Sequence, residues 1–488
     1  MEDNRNIKKK VISSLAWAFL ERCGAQGVGL IVNIILARLL LPEDYGLLAI
    51  MVVFTSLANQ FIQNGFSTSL IQNPDVEEED YSSVFHVNLG ITLLIYILLW
   101  FAAPAIGDFY NTDNFIWPFR VLSLVLFFGS VQSVQTAKLR REMDFKSIFY
   151  LTVSSSIAGG VLGILVAFAG KGVWALIVQQ LMGSISTCVV LFIRLKWFPK
   201  AVINWKRVKI LFSYGWKLLT ASLLNALYNN LTGLIIGKEY STTMLAYYDK
   251  GQMLPNKLIS NIDDSIQNVM LSALSREQEN QARCKQMMRR SMQTSCLFIF
   301  PMMAGMAAVA KPLVTILLTE KWLPCVPFMQ LTCLIYASIP ISTANLQAIK
   351  AMGRSDVYLK LEVIKKIMGI ITLVIAVFCF ESVFAIMLGT ALTMPIGIFL
   401  NVFPNKKIVG YSFHEQISDI FPPLLLSIGM FIAVSAVGMC TLSAWVMLVL
   451  QILVGVLIYV GGSVLFKLES FYYIWNTIRP MIARILHS

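Results

Sequence analysis

Fourteen apolar runs of about 20 residues divide this 488-residue chain, and each is long enough to cross a membrane as a helix. They begin near residues 12, 45, 82, 115, 148, 173, 210, 243, 287, 325, 357, 383, 418 and 442. Hydrophobic residues make up 57% of the chain and charged residues only 14%, whereas ordinary soluble domains carry about 25% charged residues. The sequence therefore predicts an all-α, polytopic membrane protein with about 14 transmembrane helices.

A hairpin of two helices occurs twice in the sequence, about 200 residues apart. The stretch Ser14–Ile50 returns in degraded form from Ser213 onwards. Aligning Trp17 with Trp216 carries the match through both helices of the hairpin. The repeat unit contains six spans, an even number, so both repeats enter the membrane in the same sense. We therefore expect two parallel six-helix repeats, followed by two extra helices.

The repeat predicts four segments along the chain. Residues 1–195 form an N-terminal six-helix lobe, and residues 196–209 form a basic cytoplasmic linker. Residues 210–405 form the C-terminal six-helix lobe. Residues 406–488 contribute the two extra transmembrane helices and a cytoplasmic tail.

Lys and Arg are distributed unequally between the two sides of the predicted membrane. With the N-terminus inside, the inner loops hold 27 of the 39 Lys and Arg residues. The outer loops hold six, namely Arg38, Arg120, Lys171, Lys238, Lys311 and Lys321. Because cytoplasmic loops carry the excess of Lys and Arg, both termini are predicted to be cytoplasmic. The net charge of +12 thus reflects membrane orientation, and nucleic acid is not an expected partner.

The cysteines and histidines of the chain do not have the spacing of a metal site or a catalytic triad. The eight cysteines form no CxxC motif, and the three histidines are far apart in sequence. Neither a zinc site nor a histidine-based triad is therefore expected. The acidic inner loop at residues 75–80 has no clear chemical role, and we expect it to be a solvated connector.

Polar residues recur at helical spacing inside spans 1, 2, 7 and 8. Such residues are costly in lipid and usually face a bundle interior or water, so their phase predicts which helices line a cavity. The predicted cavity residues are Arg22, Gln26, Asn33, Gln60, Lys217, Asn225, Asn229, Lys250, Lys257 and Asn261. The carboxylates that would couple to charge or neutralise these cations are Glu21, Asp249, Asp263 and Asp264. The alternative interpretation is that these polar residues only hold helices together.

Several short motifs carry a resemblance to a known family. They are Leu36–Gly46 (LARLLLPEDYG), Asn64-Gly65-Phe66, Arg140–Phe145 (RREMDF), Ile236-Gly237-Lys238 and Tyr247-Tyr248. With these motifs the chain resembles the polysaccharide transporter family, the Wzx-like flippases of the MOP superfamily, which also contains MATE drug exporters and the lipid II flippase. The similarity extends over essentially the whole chain.

The resemblance implies two lobes in a V shape, with spans 1, 2, 7 and 8 around a central cavity. It implies alternating access that moves an undecaprenyl-pyrophosphate-linked oligosaccharide to the outer leaflet, for O-antigen, capsule or exopolysaccharide assembly. The expected location is the bacterial inner membrane, with membrane lipids and a polysaccharide polymerase complex as further partners. No cofactor is expected. No cation-coordination motif matches, so coupling to an ion or proton stays open.

Three other functions are compatible with parts of the sequence. A membrane-bound sugar polymerase would need catalytic groups on a large outer loop, but the longest outer loop runs only from Pro104 to Pro118. A MATE-like cation or drug exporter shares the architecture, as does a flippase for another lipid-linked precursor. Four cationic side chains in the predicted cavity favour a pyrophosphate headgroup over an organic cation, because cations stabilise phosphate through charge-assisted hydrogen bonds.

The predicted topology can be tested by labelling single cysteines in intact cells. Cysteines placed near Lys171 and Lys311 should react with a membrane-impermeant reagent, because the Lys and Arg distribution places these loops outside. Cysteines near Lys200 and Lys407 should react only after permeabilisation. The reverse pattern would overturn the topology.

Overall fold

The computed structural model describes residues 24, 26–64, 69–70, 75–112, 114–142, 144–440 and 442–486. Within these ranges the chain consists of helices and turns, and no β-strand occurs in them. The prediction of an all-α protein is confirmed. Contacts divide the chain into two compact units, Met1–Ala246 and Tyr247–Ser488.

The first unit contains eight described helices in chain order. They are α1 (Gln26–Leu39), α2 (Pro42–Asn64), α3 (Glu78–Phe109), α4 (Ile116–Leu122), α5 (Val125–Arg141), α6 (Phe145–Phe168), α7 (Val173–Leu195) and α8 (Trp205–Glu239).

The next helix, α9 (Thr242–Arg276), begins in the first unit and continues into the second. The second unit then contains α10 (Gln281–Ala308), α11 (Ala310–Leu318), a 3₁₀ helix (Glu320–Cys325), α12 (Val326–Ala337), α13 (Ile339–Ala351), α14 (Ser355–Phe380), α15 (Val383–Val402), α16 (Asn405–Ile408), α17 (Phe413–Val437), α18 (Ala444–Leu465) and α19 (Glu469–Leu486).

Eleven segments of the described chain are long and apolar enough to cross a membrane. Helix α1 is a shorter apolar helix, and α8 and α9, at 35 residues each, are long enough but more polar. At 1.5 Å per residue, α8 and α9 are each about 50 Å long, against a hydrocarbon core about 30 Å thick. Together these segments account for the fourteen predicted spans, and the chain is a polytopic membrane protein.

The spans present large apolar side chains outward, as lipid requires. Phe378 on α14 is 82% exposed, and Leu457 on α18 is 71% exposed. In water such exposure would favour aggregation, but in a bilayer lipid tails cover these side chains. Each helix satisfies its own backbone hydrogen bonds, except for the four N–H groups at its start and the four C=O groups at its end. Lipid cannot supply such hydrogen bonds.

Small residues allow α6 and α7 to pack at backbone distance. A Cβ at Gly159 would lie 3.1 Å from the backbone nitrogen of Gly183 and closer still to the carbonyl oxygen of Gln179. A Cβ at Gly163 would lie 2.8 Å from the Cβ of Gln179. Gly159 and Gly163 form a GxxxG pair, a motif that lets membrane helices approach closely. This pair therefore holds a tight contact within the first unit.

The acidic segment at residues 75–80 binds the linker and the first turn of α8. Arg207 donates two hydrogen bonds to the carboxylate of Asp80, from Nε to Oδ1 at 2.9 Å and from Nη2 to Oδ2 at 2.6 Å. The Asp80 side chain is only 2% exposed. The indole N–H of Trp197 donates to the Glu78 carboxylate at 2.8 Å. The expectation of a solvated connector is therefore wrong for Asp80, which is buried against a partner more than 100 residues away in sequence, whereas Asp75 and residues 77–79 are exposed.

Two serines of α3 extend this contact to the linker backbone. The hydroxyl oxygen of Ser82 accepts a hydrogen bond from the Lys200 N–H at 3.0 Å. That of Ser83 accepts one from the Asn204 N–H at 2.9 Å. We call the contact of residues 75–83 with residues 197–207 the linker clasp. It attaches the start of α8 to the start of α3 within the first unit.

The linker clasp predicts a stability effect for Arg207→Gln. The substitution leaves a buried Asp80 carboxylate without its cation, so we expect a loss of about 1 to 3 kcal/mol and a lower unfolding temperature of the purified protein. Asp80→Asn with Arg207→Gln should recover part of the loss. The matched control is Arg354→Gln, whose partner Asp356 is 55% exposed, and which should change stability by less than about 1 kcal/mol. Equal effects at both positions would contradict the clasp.

Candidate functional site

Helix α9 has one apolar face and one polar face along its length. On the apolar face, Ile259 packs with Ile299 and Met303 of α10, and Met270 and Leu274 belong to a second buried cluster. The residues exposed on the other side are predominantly polar and include Asp249, Asn256, Ser260, Asp264 and Asn268. We call this side the polar face of α9. Its existence explains why α9 is too polar to rank with the other spans.

Asp263 lies beside this face and is held by neutral donors. The Thr343 hydroxyl of α13 donates to Asp263 Oδ1 at 2.5 Å, and the Gln267 amide donates to Oδ2 at 2.6 Å. Gln347 in turn donates to the side-chain oxygen of Gln267 at 3.0 Å. Both oxygens of this half-buried carboxylate are thus satisfied by a hydroxyl and an amide. Its predicted role in charge coupling stays a prediction.

Lys257 is partly buried on the same helix, one turn before Asn261. The Asn261 amide donates to the backbone carbonyl of Lys257 at 3.0 Å. Within the described part of the chain, the Lys257 ammonium forms no hydrogen bond or ion pair. A lysine within a membrane span that has no carboxylate partner is costly in lipid, so water or a bound anion must solvate it.

Lys250 differs from the other predicted cavity residues because it is buried, with 6% of its surface exposed. Its ammonium lies 5.5 Å from the ring centroid of Trp322, within reach of a cation–π interaction. The neighbouring residue, Gly251, permits this position. A Cβ there would lie 2.7 Å from the Cβ of Phe328 and 2.9 Å from the carbonyl oxygen of Cys325.

The first unit contains the remaining predicted residues. Gln26 on α1 and Asn225 and Asn229 on α8 are exposed, whereas Gln60 on α2 is partly buried. Asn33 is partly buried and donates to the carbonyl oxygen of Gly29 at 3.1 Å. Glu21 and Arg22 lie outside the described residues, as does the side chain of Lys217. The described residues of α8 thus present a second polar face, at Asn225 and Asn229.

Sequence reasoning missed the polar residues of α13 that support α9. Thr343 and Gln347 lie four residues apart, which places them on one side of that helix. The same spacing was the signal in spans 1, 2, 7 and 8, so it was available in the tenth span as well. The partners of these residues on α9, Asp263 and Gln267, could not be identified in this way, because a sequence contains no distances between helices.

The chain also matches a protein family by sequence. The model of a family described as polysaccharide biosynthesis proteins matches residues 35–327. The chain belongs to this family. Among relatives, the lipopolysaccharide biosynthesis protein WzxC of Escherichia coli (strain K12) is 22% identical over 440 residues, 89% of this chain and 88% of WzxC. The teichuronic acid biosynthesis protein TuaB of Bacillus subtilis (strain 168) is 21% identical over 354 residues, 72% of this chain and 73% of TuaB.

Solved structures share the fold of this polysaccharide biosynthesis protein. The lipid II flippase MurJ in an inward closed conformation superposes with a TM-score of 0.72 at 18% identity, over 93% of this chain and 98% of MurJ. An inward-facing MATE multidrug resistance transporter of the MOP superfamily superposes with a TM-score of 0.57 at 16% identity, over 85% of this chain and 98% of that transporter. The chain therefore shares the fold of these two membrane proteins.

The different partners of Asp263 and Lys257 predict different effects on stability. Thr343→Val removes a donor from the Asp263 carboxylate, and we expect it to cost about 1 to 3 kcal/mol. Lys257→Gln removes no partner from any described residue, so protein amount and unfolding temperature should stay normal. Thermal unfolding of both purified variants checks this. A large loss of folded protein in Lys257→Gln would show that the lysine is structural.

Proposed function

We propose that this protein is a flippase that moves a lipid-linked oligosaccharide across the bacterial inner membrane by alternating access. The observation that carries the proposal is the polar face of α9 in a family of polysaccharide biosynthesis proteins. A helix at membrane depth keeps a polar, exposed face only where water or a polar ligand covers it. An oligosaccharide headgroup is such a ligand.

The chemistry of Lys257 supports an anionic headgroup. Its ammonium has no carboxylate partner in the described chain, and the nearby Asp263 is satisfied by Thr343 and Gln267. A pyrophosphate would accept charge-assisted hydrogen bonds from this ammonium. Arg22 and Lys217 are the further cations that we propose for the same headgroup, from their helical phase in the sequence.

An apolar pocket in the second unit supports a substrate with a long hydrocarbon chain. It has a volume of about 570 Å³ and is lined by residues of α10, α17, α18 and α19. The lining includes Phe298, Met302, Met430, Ile452 and Trp475, and almost all of it is apolar. A polyprenyl chain is chemically matched to such a lining, because both are hydrocarbon.

The proposal includes an orientation and a class of protein. The Lys and Arg distribution predicts that both termini are cytoplasmic, and we propose that transport runs from the inner to the outer leaflet. The protein acts as a transporter and not as an enzyme, and a polysaccharide polymerase is the proposed consumer of the flipped substrate. The names of WzxC and TuaB, both biosynthesis proteins of surface polymers, support this context.

The test is a deletion strain complemented with variants. Deletion should leave lipid-linked repeat units in the cytoplasmic leaflet and abolish one surface polysaccharide, and the wild-type gene should restore it. A strain that keeps every surface glycan but becomes sensitive to cationic drugs would identify a drug exporter instead.

Complementation with charge variants tests the headgroup role. Arg22→Gln, Lys217→Gln and Lys257→Gln should each give normal amounts of membrane protein but reduce export about tenfold, since each removes a charge-assisted hydrogen bond. The exposed Lys360→Gln serves as the matched control and should export normally. Normal export in all three variants would rule out the headgroup role, and parallel loss of protein and export would assign these residues to structure.

A further inference from the structure

A wide polar pocket opens at one end of the first unit. It has a volume of about 1200 Å³ and is lined by the turns between α1 and α2, α3 and α4, α6 and α7, and α8 and α9. These are the turns that the Lys and Arg distribution places outside the cell membrane. We call it the outer pocket. It lies at the opposite end of the first unit's predicted spans from the linker clasp.

Charged groups line the outer pocket without neutralising one another. They are the carboxylates Glu43 and Asp44 and the cations Arg120, Lys171 and Lys238. None of the five forms an ion pair with a described residue. In the linker clasp, by contrast, carboxylates and cations pair directly, as Arg207 does with Asp80. The outer pocket therefore keeps separate donors and acceptors available to a ligand.

Two of the cations are held in place by neutral groups. The Arg120 guanidinium donates to the carbonyl oxygen of Trp100 at 3.2 and 3.3 Å, and its carbon lies 4.3 Å from the centroid of that ring. The Lys238 ammonium donates to the carbonyl oxygen of Phe109 at 2.5 Å and lies 4.5 Å from its ring centroid. These contacts fix both cations but leave their charge uncompensated. Donors fixed in advance lose less entropy when a ligand binds.

The remaining cation and a carboxylate are placed differently. Lys171 is exposed, and its ammonium forms no hydrogen bond or ion pair with a described residue. Asp44 accepts a hydrogen bond from the Leu41 N–H at 3.1 Å and packs against Gly172, where a Cβ would lie 2.7 Å from Oδ1. Gly172 has a positive φ of 55°, which favours glycine. The backbone of this turn thus lies directly against the carboxylate.

An aromatic ring completes the lining of the outer pocket. Trp117 is 62% exposed, and the Arg120 guanidinium carbon lies 5.3 Å from its ring centroid. Asn111 and Asn114 add amide and backbone groups beside it. A tryptophan at a membrane interface is common by itself. Here the ring lies beside the Arg120 guanidinium in a pocket that other cations, carboxylates and amides also line, which offers an apolar surface together with hydrogen-bond donors and acceptors.

We propose that the outer pocket binds sugar residues of the transported substrate after they reach the outer side. A sugar ring has an apolar C–H face, which packs on an aromatic ring, and hydroxyls that both donate and accept. Trp117 supplies the ring, Arg120, Lys171 and Lys238 donate, and Glu43 and Asp44 accept. This inference rests on the proposed function, because it names the part of the same substrate that the pocket holds.

Binding to the purified full-length protein in detergent tests the outer pocket. The probe is the water-soluble oligosaccharide released by mild acid from the lipid-linked fraction of the strain, titrated with detection by saturation-transfer NMR. Trp117→Ala should weaken binding about tenfold, and Lys171→Gln about threefold, because each removes one central contact. Trp117→Phe keeps an aromatic ring and should bind within about threefold of the wild type.

Matched controls come from residues of the second unit. Trp445→Ala removes a tryptophan that is 66% exposed, and Lys311→Gln removes an exposed lysine of a predicted outer loop. Both should bind like the wild type. The proposal would be overturned if the wild type did not bind, or if Trp117→Ala and Lys171→Gln bound as tightly as the wild type. It would also be overturned if the controls lost as much binding as these two variants. The surface glycan of the deletion strain is measured separately, so failure of the outer pocket and failure of the flippase function give different results.

Discussion

A polar group in a bilayer must find water or a partner inside the protein, and the rest of this structure depends on that requirement. Most spans meet it by presenting mainly apolar side chains to the outside. Helix α9 meets this requirement differently. Its apolar face packs against α10, and its polar face needs water or a polar ligand instead of lipid. Its carboxylate at Asp263 is covered by Thr343 and Gln267, so water or a bound ligand must still solvate Lys257 and the exposed carboxylates Asp249 and Asp264.

Charges are used in two ways at the two ends of the first unit. In the linker clasp they are paired and one of them is buried, which stabilises a fixed contact between distant parts of the chain. In the outer pocket they form no ion pairs with described residues, and two of the cations, Arg120 and Lys238, donate to backbone carbonyl oxygens and lie near aromatic rings. The first arrangement holds the protein together, and the second leaves hydrogen-bonding capacity for a ligand. The same residue types therefore serve structure or binding according to their partners.

The number, order and approximate starts of the spans were predictable because hydrophobicity over about 20 residues is a local property of the chain. The polar residues of α9 were predictable for the same reason, because Asp249 and Asp264 recur at helical spacing in the sequence, and both are exposed. The partners of these residues were not predictable. Thr343 lies 80 residues from Asp263, and Arg207 lies 127 residues from Asp80. Such contacts depend on how helices pack, which no local pattern of residues contains.

The close approach at Gly251 has a consequence for the charge beside it. Because no side chain separates α9 from the backbone of Cys325 and Met329, the helix lies near enough for Lys250 to reach the ring of Trp322. A methyl group at position 251 would move the helix axis outward and take the ammonium with it. The position of the Lys250 charge therefore depends on the absence of a side chain at residue 251, so an uncharged substitution there would displace a charge.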